Sequence, residues 1–394
     1  MILRGRNKKI CSRRGGIGRG VVLILLIFAP VLLPSLSASS SEPVVRVLVD
    51  EGIHRVVLRG RDLTVERGDS HGWRRVFKGL RGVYFTDRGG KIHLEGSSVD
   101  SSRFRIRLPG GTLRYVGKNG DNLRRGSIVI TSDPGGMTVV NHVPLESYLV
   151  GLVNGEIDSK WPSEAVKAQV IAARTFALYR MQADEALYDV RGDTGDQVYH
   201  GAGGEDKSAA IAVKATRGMA IYYDGDLVPA FYHSSCGGRT ADAKDVWGTP
   251  HPALKSVICG DCGDAPRSSW RVVMESREIQ GILQRLYPGI GTVRRFGVHR
   301  RSPDGRVSVL FFDTDTGSTL LDSGDFRREA GYTRLPSTLF VISGAGGKVV
   351  FAGRGYGHGV GLCQWGSRGA ALKGWDYRRI LKKYYTGVEI RRAY

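Results

Sequence analysis

Long hydrophobic runs are scarce in this chain. The stretch from Val21 to Leu33 is thirteen residues broken by Pro30, whereas a membrane-spanning helix needs about 20. No cysteine follows it at a lipid-attachment position, which argues against a lipoprotein. No fixed-period repeat is visible, which excludes a solenoid, and no low-complexity linker marks a sharp domain boundary. Acids are in deficit: 38 Asp and Glu stand against 58 Lys and Arg, for a net charge of +20. The first 41 residues hold no acid at all but seven basic residues, Arg4, Arg6, Lys8, Lys9, Arg13, Arg14 and Arg19.

Those basic residues, the apolar run and the small residues from Ser35 to Ser41 have the layout of a secretory signal. Residues 1–41 are therefore expected to be a signal peptide, with an uncleaved N-terminal anchor as the alternative. Export places the protein in the periplasm or cell wall, touching a membrane only through that segment. Cleavage would lower the net charge from +20 to +13, still strongly basic. For an exported protein such a field suits anionic wall polymers or membrane surfaces rather than nucleic acid, with generic solubility as the bland alternative.

An apolar content of 41% is globular rather than disordered, and 394 residues can bury a real core in one large domain or two smaller ones. The 55 glycines suggest many turns. Residues 42–130 alternate in short runs, such as Val44–Val49, Arg55–Leu58, Val83–Phe85 and Arg103–Leu108. Turn residues separate them at Arg88-Gly89-Gly90 and Pro109-Gly110-Gly111. That pattern predicts antiparallel strands. The fold class is α+β: a β-rich N-terminal region, then a helical catalytic centre packed with antiparallel strands over 131–394. Arg271–Met274 and Val307–Phe312 read as strands and Glu278–Leu286 as a short helix, while Asp376 is placed to cap a last helix over Tyr377–Tyr385.

The segment from Pro144 to Met181 reads as two helices. Leu145, Tyr148, Leu149, Leu152 and Val153 form one apolar stripe, and Val166, Val170, Ala173, Ala177 and Met181 form another. Asn154-Gly155 is a stop signal, because both residues tolerate the left-handed conformation. Glu146 and Glu164 fall just after helix-starting prolines, where a carboxylate can cap free N–H groups. Glu156 has no such role. It sits beside Gly155 and Ile157 with Trp161 nearby, and a carboxylate among apolar groups has the raised pKa that suits a general acid. A solvated loop glutamate is the alternative.

Of five cysteines, Cys11 lies in the signal segment. His233-x2-Cys236 and Cys259-x2-Cys262 supply four ligands with a spacing that suits a tetrahedral, structural zinc. A disulfide from Cys236 to Cys259 or Cys262 is the competing reading. Cys363 is either a small buried residue or a substitute ligand. His358 lies among four glycines, Gly355, Gly357, Gly359 and Gly361, which let backbone approach a ligand closely. This run lacks the Lys and Ser/Thr of a phosphate-binding loop.

These blocks, in order, resemble the SpoIID/LytB family, named for stage II sporulation protein D. The resemblance rests on Val143–Leu178, on Asp196-Gln197-Val198-Tyr199, and on Phe231–Thr240 followed by Val246-Trp247-Gly248. It continues through Gly353–Gly361 with Gln364 and Gly366, and ends at Tyr384–Val388. It covers roughly residues 130–394.

The resemblance implies a peptidoglycan lytic transglycosylase that cleaves the muramic acid–glucosamine bonds of glycan strands, with denuded strands preferred. Glu156 would be the single catalytic acid/base. Because the muramic acid C6 hydroxyl attacks its own anomeric carbon, no second carboxylate is needed to activate water, unlike most glycosidases. Arg174, Gln197, Tyr199, His358 and Gln364 fall in blocks expected to face the substrate. The other reading is a non-catalytic wall-binding module that stimulates a cell-wall amidase, which would then be a partner. Some family members hold a zinc near the second block. One departure is notable: family members often read Glu-Met-Pro where this chain has Glu156-Ile157-Asp158. Loss of that proline is expected to loosen the loop, and Asp158 adds a carboxylate that is either a surface group or a neighbour raising the Glu156 pKa.

Overall fold

The computed structural model describes residues 41–118, 120–183, 187–345 and 347–394. The signal segment and Cys11 lie outside the described residues, apart from Ser41. No helix among the described residues is long and apolar enough to cross a membrane.

The alternating N-terminal region builds one large sheet. Its strands are β1 (Val44–Ile53), β2 (Arg55–Asp69), β3 (Gly72–Asp87), β4 (Ile92–Leu94), β5 (Asp100–Ser101) and β6 (Arg103–Arg107). Then come β7 (Leu113–Gly117), β8 (Gly120–Arg124), β9 (Ser127–Asp133), β10 (Gly136–Pro144) and the short β11 (Val190–Arg191). The main path runs β11-β1-β10-β9-β6-β2-β3-β4-β5, with β7 and β8 branching from β2. Val56, Leu58, Val65, Phe85, Phe104, Ile106 and Ile130 form its buried face, as period-two patterning requires.

An expected division at 130/131 falls inside β9, which pairs along its length with β10. The same sheet thus carries the chain into the helices, since β10 ends at Pro144 where the first helix starts.

Eight helices are described: α1 (Leu145–Glu156), α2 (Ser163–Arg180), α3 (Lys207–Ala215), α4 (Ala243–Trp247), α5 (Ser276–Leu286), α6 (Ser323–Ala330), α7 (Gln364–Leu372) and α8 (Tyr377–Tyr384). The two predicted stripes of α1 and α2 meet in one core with Val45, Val47 and Val143 of the sheet. The opposite face of α2, through Ala168, Ile171 and Ala172, enters a second core with residues of α7 and α8, the four described cysteines, Val360 and Leu362. α2 is therefore buried on two sides, and its mostly small residues make that close approach possible.

The two acids read as caps do other work. Glu146 forms a buried ion pair with Arg174 of α2, at 2.8 and 2.9 Å, and also accepts from the Tyr394 hydroxyl. Glu164 pairs with Lys167 at 2.6 Å and accepts the backbone N–H of Tyr377 at 3.0 Å, so it caps α8 rather than its own helix. Asp376 caps α8 as expected, accepting from the Arg379 N–H at 2.7 Å.

Residues 270–353 form a separate apolar cluster. Two three-stranded antiparallel sheets enclose Phe312, Phe326, Phe340 and Phe351 together with α5 and α6. The predicted strands are Trp270–Glu275 and Val307–Thr314, and the predicted helix is α5.

Candidate functional site

The carboxylate of Glu156 is the centre of the site. α1 does not stop at Asn154-Gly155 by a left-handed turn. It continues to Glu156 and ends where Ile157 turns extended, at φ −143°. Gly151 and Gly155, four residues apart on one helix face, serve instead to admit a neighbouring segment. A Cβ at Gly151 would lie 2.5 Å from the Gly201 carbonyl oxygen, and one at Gly155 would lie 2.2 Å from that of Val198. Residues 196–201 therefore run against bare helix backbone, and the Val198 N–H donates to Glu156 Oε1 at 2.6 Å.

A chain of hydrogen bonds fixes the rest of the shell. Buried Gln197 accepts from the Tyr148 hydroxyl at 3.0 Å and donates through Nε2 to the Tyr232 hydroxyl, also at 3.0 Å. With its oxygen accepting from Gln197, the Tyr232 hydroxyl keeps its own proton for Glu156, whose charged form both Tyr232 and the Gln364 side chain favour. The Glu156 side chain as a whole is half-buried, but its carboxylate is withdrawn from water. That desolvation pushes its pKa up to about 7, and the contacts from Val198, Tyr232 and Gln364 oppose the rise only partly.

Asp158 plays no part in that shift. It is exposed, and its carboxylate accepts the Lys160 N–H at 2.9 Å. The loop that lacks the expected proline is tied down another way. Asp206, at the start of α3, accepts from Ser159 at 2.5 Å and from Asn154 at 2.9 Å.

Tyr232 and Gln364 reach Glu156 together because their strands are adjacent. Tyr232-His233 pairs in parallel with Leu362-Cys363, and α7 begins at Gln364. His358 buttresses this pairing. Its Nε2 bonds the Tyr232 carbonyl at 2.9 Å, and its Nδ1 accepts the Val360 N–H at 3.1 Å. These contacts assign the neutral tautomer protonated on Nε2, and burial pushes its pKa down to about 4. His358 is thus a backbone clamp, packed against Trp247 and Phe231.

Of the other residues nominated to face the substrate, Arg174 and Tyr199 are enclosed by protein, as Gln197 and His358 are. Arg174 is fully buried, its guanidinium held by Glu146 and by the carbonyl of Met219 at 3.2 Å. It ties α1 to α2 and leaves no group to offer a glycan. Tyr199 is buried too. Its ring packs at a tilt against that of Tyr148, centroids 4.9 Å apart, and lies beneath the Arg124 guanidinium.

The cysteines converge. The sulfur atoms of Cys236, Cys259, Cys262 and Cys363 all lie within 4.8 Å of one another, and all four residues are buried and unbridged. The fourth member of this cluster is Cys363, which the sequence offered as a substitute ligand, whereas His233 lies outside it with its Nδ1 bonded to the Val360 carbonyl at 3.1 Å. The Cys363 sulfur accepts N–H groups from Cys236 and Gly366, each at 3.3 Å. Four soft donors, no carboxylate and N–H groups aimed at sulfur fit a closed tetrahedral thiolate site.

Sequence reasoning missed Tyr232, although it adjoins the nominated His233 and period-two alternation would aim it the other way. It also missed Arg306, which reaches in from the 270–353 cluster. Arg306 pairs with buried Asp304 at 2.8 Å and donates to the Cys236 carbonyl at 2.7 Å. No pattern near Arg306 signals this.

Comparison with known proteins gives two family matches. Residues 133–223 match the SpoIID model, described as stage II sporulation protein, and residues 261–361 match a domain of unknown function. An uncharacterised protein of Brachyspira hyodysenteriae is 33% identical over 256 residues, 64% of this chain and 68% of that protein. Stage II sporulation protein D of Bacillus amyloliquefaciens is 30% identical over 270 residues, 64% of this chain and 76% of that one. An amidase enhancer of Bacillus subtilis is 26% identical over 290 residues, 61% of this chain but 40% of the enhancer. The SpoIID match contains Glu156, Arg174, Gln197 and Tyr199, and the second match contains Arg306 and His358.

Proposed function

Because the chain belongs to the stage II sporulation protein D family, we propose that it is an exported peptidoglycan lytic transglycosylase, with Glu156 as its one acid/base and residues 131–394 as the catalytic part. The observation that carries this reading is the Glu156 environment: a desolvated carboxyl whose pKa of about 7 leaves it substantially protonated at neutral pH. A general acid works best when its pKa lies near the operating pH.

The reaction needs one proton donor that becomes a base. Glu156 protonates the glycosidic oxygen between muramic acid and glucosamine as that C–O bond breaks. The resulting carboxylate then takes the proton from the muramyl C6 hydroxyl, whose oxygen closes on the anomeric carbon. The products are an anhydromuramyl end and a free glucosamine hydroxyl, and the enzyme returns to its starting protonation state. The Val198 N–H, Tyr232 and Gln364 stabilise the carboxylate in the half of the cycle when it is charged. Gln197 and His358 act through Tyr232, one on its hydroxyl and the other on its backbone.

Cys236, Cys259, Cys262 and Cys363 would hold a zinc ion, which when bound supplies a cross-link and no open coordination position. Cys363 caps α7, whose first residue is Gln364, so the cluster sets the position of a Glu156 partner.

A second reading, a module that stimulates a wall amidase, is favoured by the likeness to a protein named amidase enhancer. Digestion of purified peptidoglycan, with and without stem peptides, separates the two. Anhydromuramyl ends from the native protein and none from Glu156→Gln support the enzyme. Binding to glycan without product, together with faster turnover by an added amidase, supports the module.

A further inference from the structure

The N-terminal sheet has a fork that the Glu156 site does not use. The ladder between β2 and β3 passes from Arg59 opposite Gly82 directly to Leu63 opposite Leu80. Residues 60–62 on β2 thus oppose Arg81 alone on β3, and such a bulge bends its strand. Before the bend β2 pairs with β7, through Val57–Arg59, and after it with β6, through Thr64–Arg67. The turn 108–112 bridges the gap between β6 and β7. At the bend a Cβ on Gly60 would touch the end of the Leu63 side chain, at 2.9 Å.

Inside this fork lies a cavity of about 710 Å³ lined by Arg59, Arg61, Arg81 and Arg114, with Leu108 and Leu123 among the rest and no acidic residue. Arg114 also reaches Asp121 at 2.7 Å. Among the described residues no carboxylate pairs with Arg59, Arg61 or Arg81. Like charges held together without counterions repel, so an anion in the recess relieves a cost the free protein bears. Guanidinium groups present planar paired donors that match phosphate oxygens.

We propose that this fork binds a polyol-phosphate polymer, a chain of phosphodiester-linked sugar alcohols, and so holds the protein to an anionic surface independently of Glu156. Three features select this occupant. The cavity is lined by four arginines and only two large apolar side chains, Leu108 and Leu123, whereas a membrane-docking face presents a cluster of protruding apolar side chains. No aromatic ring lines it, so it lacks the stacking platform of a single-stranded nucleic acid groove. Its volume of about 710 Å³ admits a few repeat units.

The test is a titration of the full mature chain with a glycerol-phosphate oligomer, followed by fluorescence anisotropy at several salt concentrations. Parallel titrations use a single-stranded DNA oligomer of equal phosphate number and anionic phospholipid vesicles. The triple variant Arg59→Ser, Arg61→Ser and Arg81→Ser is expected to bind the oligomer about tenfold or more weakly. A control triple of equal charge change at exposed sites elsewhere, Arg74→Ser, Arg271→Ser and Arg294→Ser, is expected to lose less than about threefold, the share of a diffuse field. Equal losses in the two triples would overturn the proposal. So would absence of oligomer binding by the native chain, or tighter binding of DNA or vesicles. Thermal melts of both triples confirm that the comparison is between folded proteins.

Discussion

Gly155 lies so close to Val198 that a Cβ on the glycine would be 2.2 Å from the Val198 carbonyl oxygen. The same approach places the Val198 N–H 2.6 Å from the Glu156 carboxylate. On helix propensity alone, Gly155→Ala would stabilise α1 by about 1 kcal/mol. Here the backbone of residues 196–201 must withdraw to make room, and both the packing and the hydrogen bond are lost. The expected result is a net destabilisation of about 1–3 kcal/mol by urea denaturation, with a fall in anhydromuramyl product larger than unfolding explains. Gly203→Ala, with nothing within 4 Å of its Cβ position, is the matched control and should be near neutral.

Arg174 and Glu146 test a different claim, that a residue from a motif block is structural. Both sit between packed helices, and removing one partner strands the other charge. Arg174→Ala is expected to cost about 3–5 kcal/mol. Replacing both, as Glu146→Gln with Arg174→Met, should cost clearly less than the sum of the single changes, which a double-mutant cycle measures. If Arg174→Ala folded normally and lost only glycan affinity, the structural assignment would fail.

Much of this was legible in the chain. The stripes of α1 and α2, the N-terminal strands and the cap at Asp376 follow from period and punctuation, which are local. Glu156 stood out because nothing local explained it. What was not legible depends on contacts distant in sequence. Gly155 read as a helix stop because its real constraint, residue 198, lies on another segment. Arg174 read as exposed machinery because its partner Glu146 had a plausible local role as a cap. Spacing nominated His233 as a ligand and left Cys363 as a small buried residue or a substitute, and the fold brings the Cys363 sulfur into the cluster. The 270–353 cluster gave up two of its six described strands and the helix α5 but not Arg306, since nothing local marks a side chain that reaches into another core.

The Glu156 carboxyl titrates near 7 when folded, against a usual value of 4.5. Between these values the native protein holds a proton that the unfolded chain has released, so stability falls as pH rises through this window. Below about pH 4.5 the penalty is absent, and above about pH 7 it is fully present. Glu156→Gln removes it and keeps an acceptor for the Val198 N–H. The variant should therefore be more stable than the native protein at pH 8 by about 1–3 kcal/mol, and no more stable at pH 4.5. Activity of the native protein should decline as pH rises through about 7, where the acid form is lost. Denaturant titrations at the two pH values check the first expectation, and a pH–rate profile checks the second.

Cys363 joins the sulfur cluster to the Glu156 shell, because its sulfur caps the helix that begins at Gln364. If the four thiols hold zinc, Cys363→Ser should lower the bound metal well below one equivalent. It should also reduce activity by shifting Gln364, although residue 363 touches no substrate. His233→Gln leaves the four sulfurs in place and should retain the metal, measured by elemental analysis after gel filtration. The pair of variants decides between the ligand set nominated by spacing and the one that the strand pairing assembles. Retention of metal by Cys363→Ser with loss in His233→Gln would restore the histidine. Full activity after complete chelation of a protein that stays folded would remove any need for the metal.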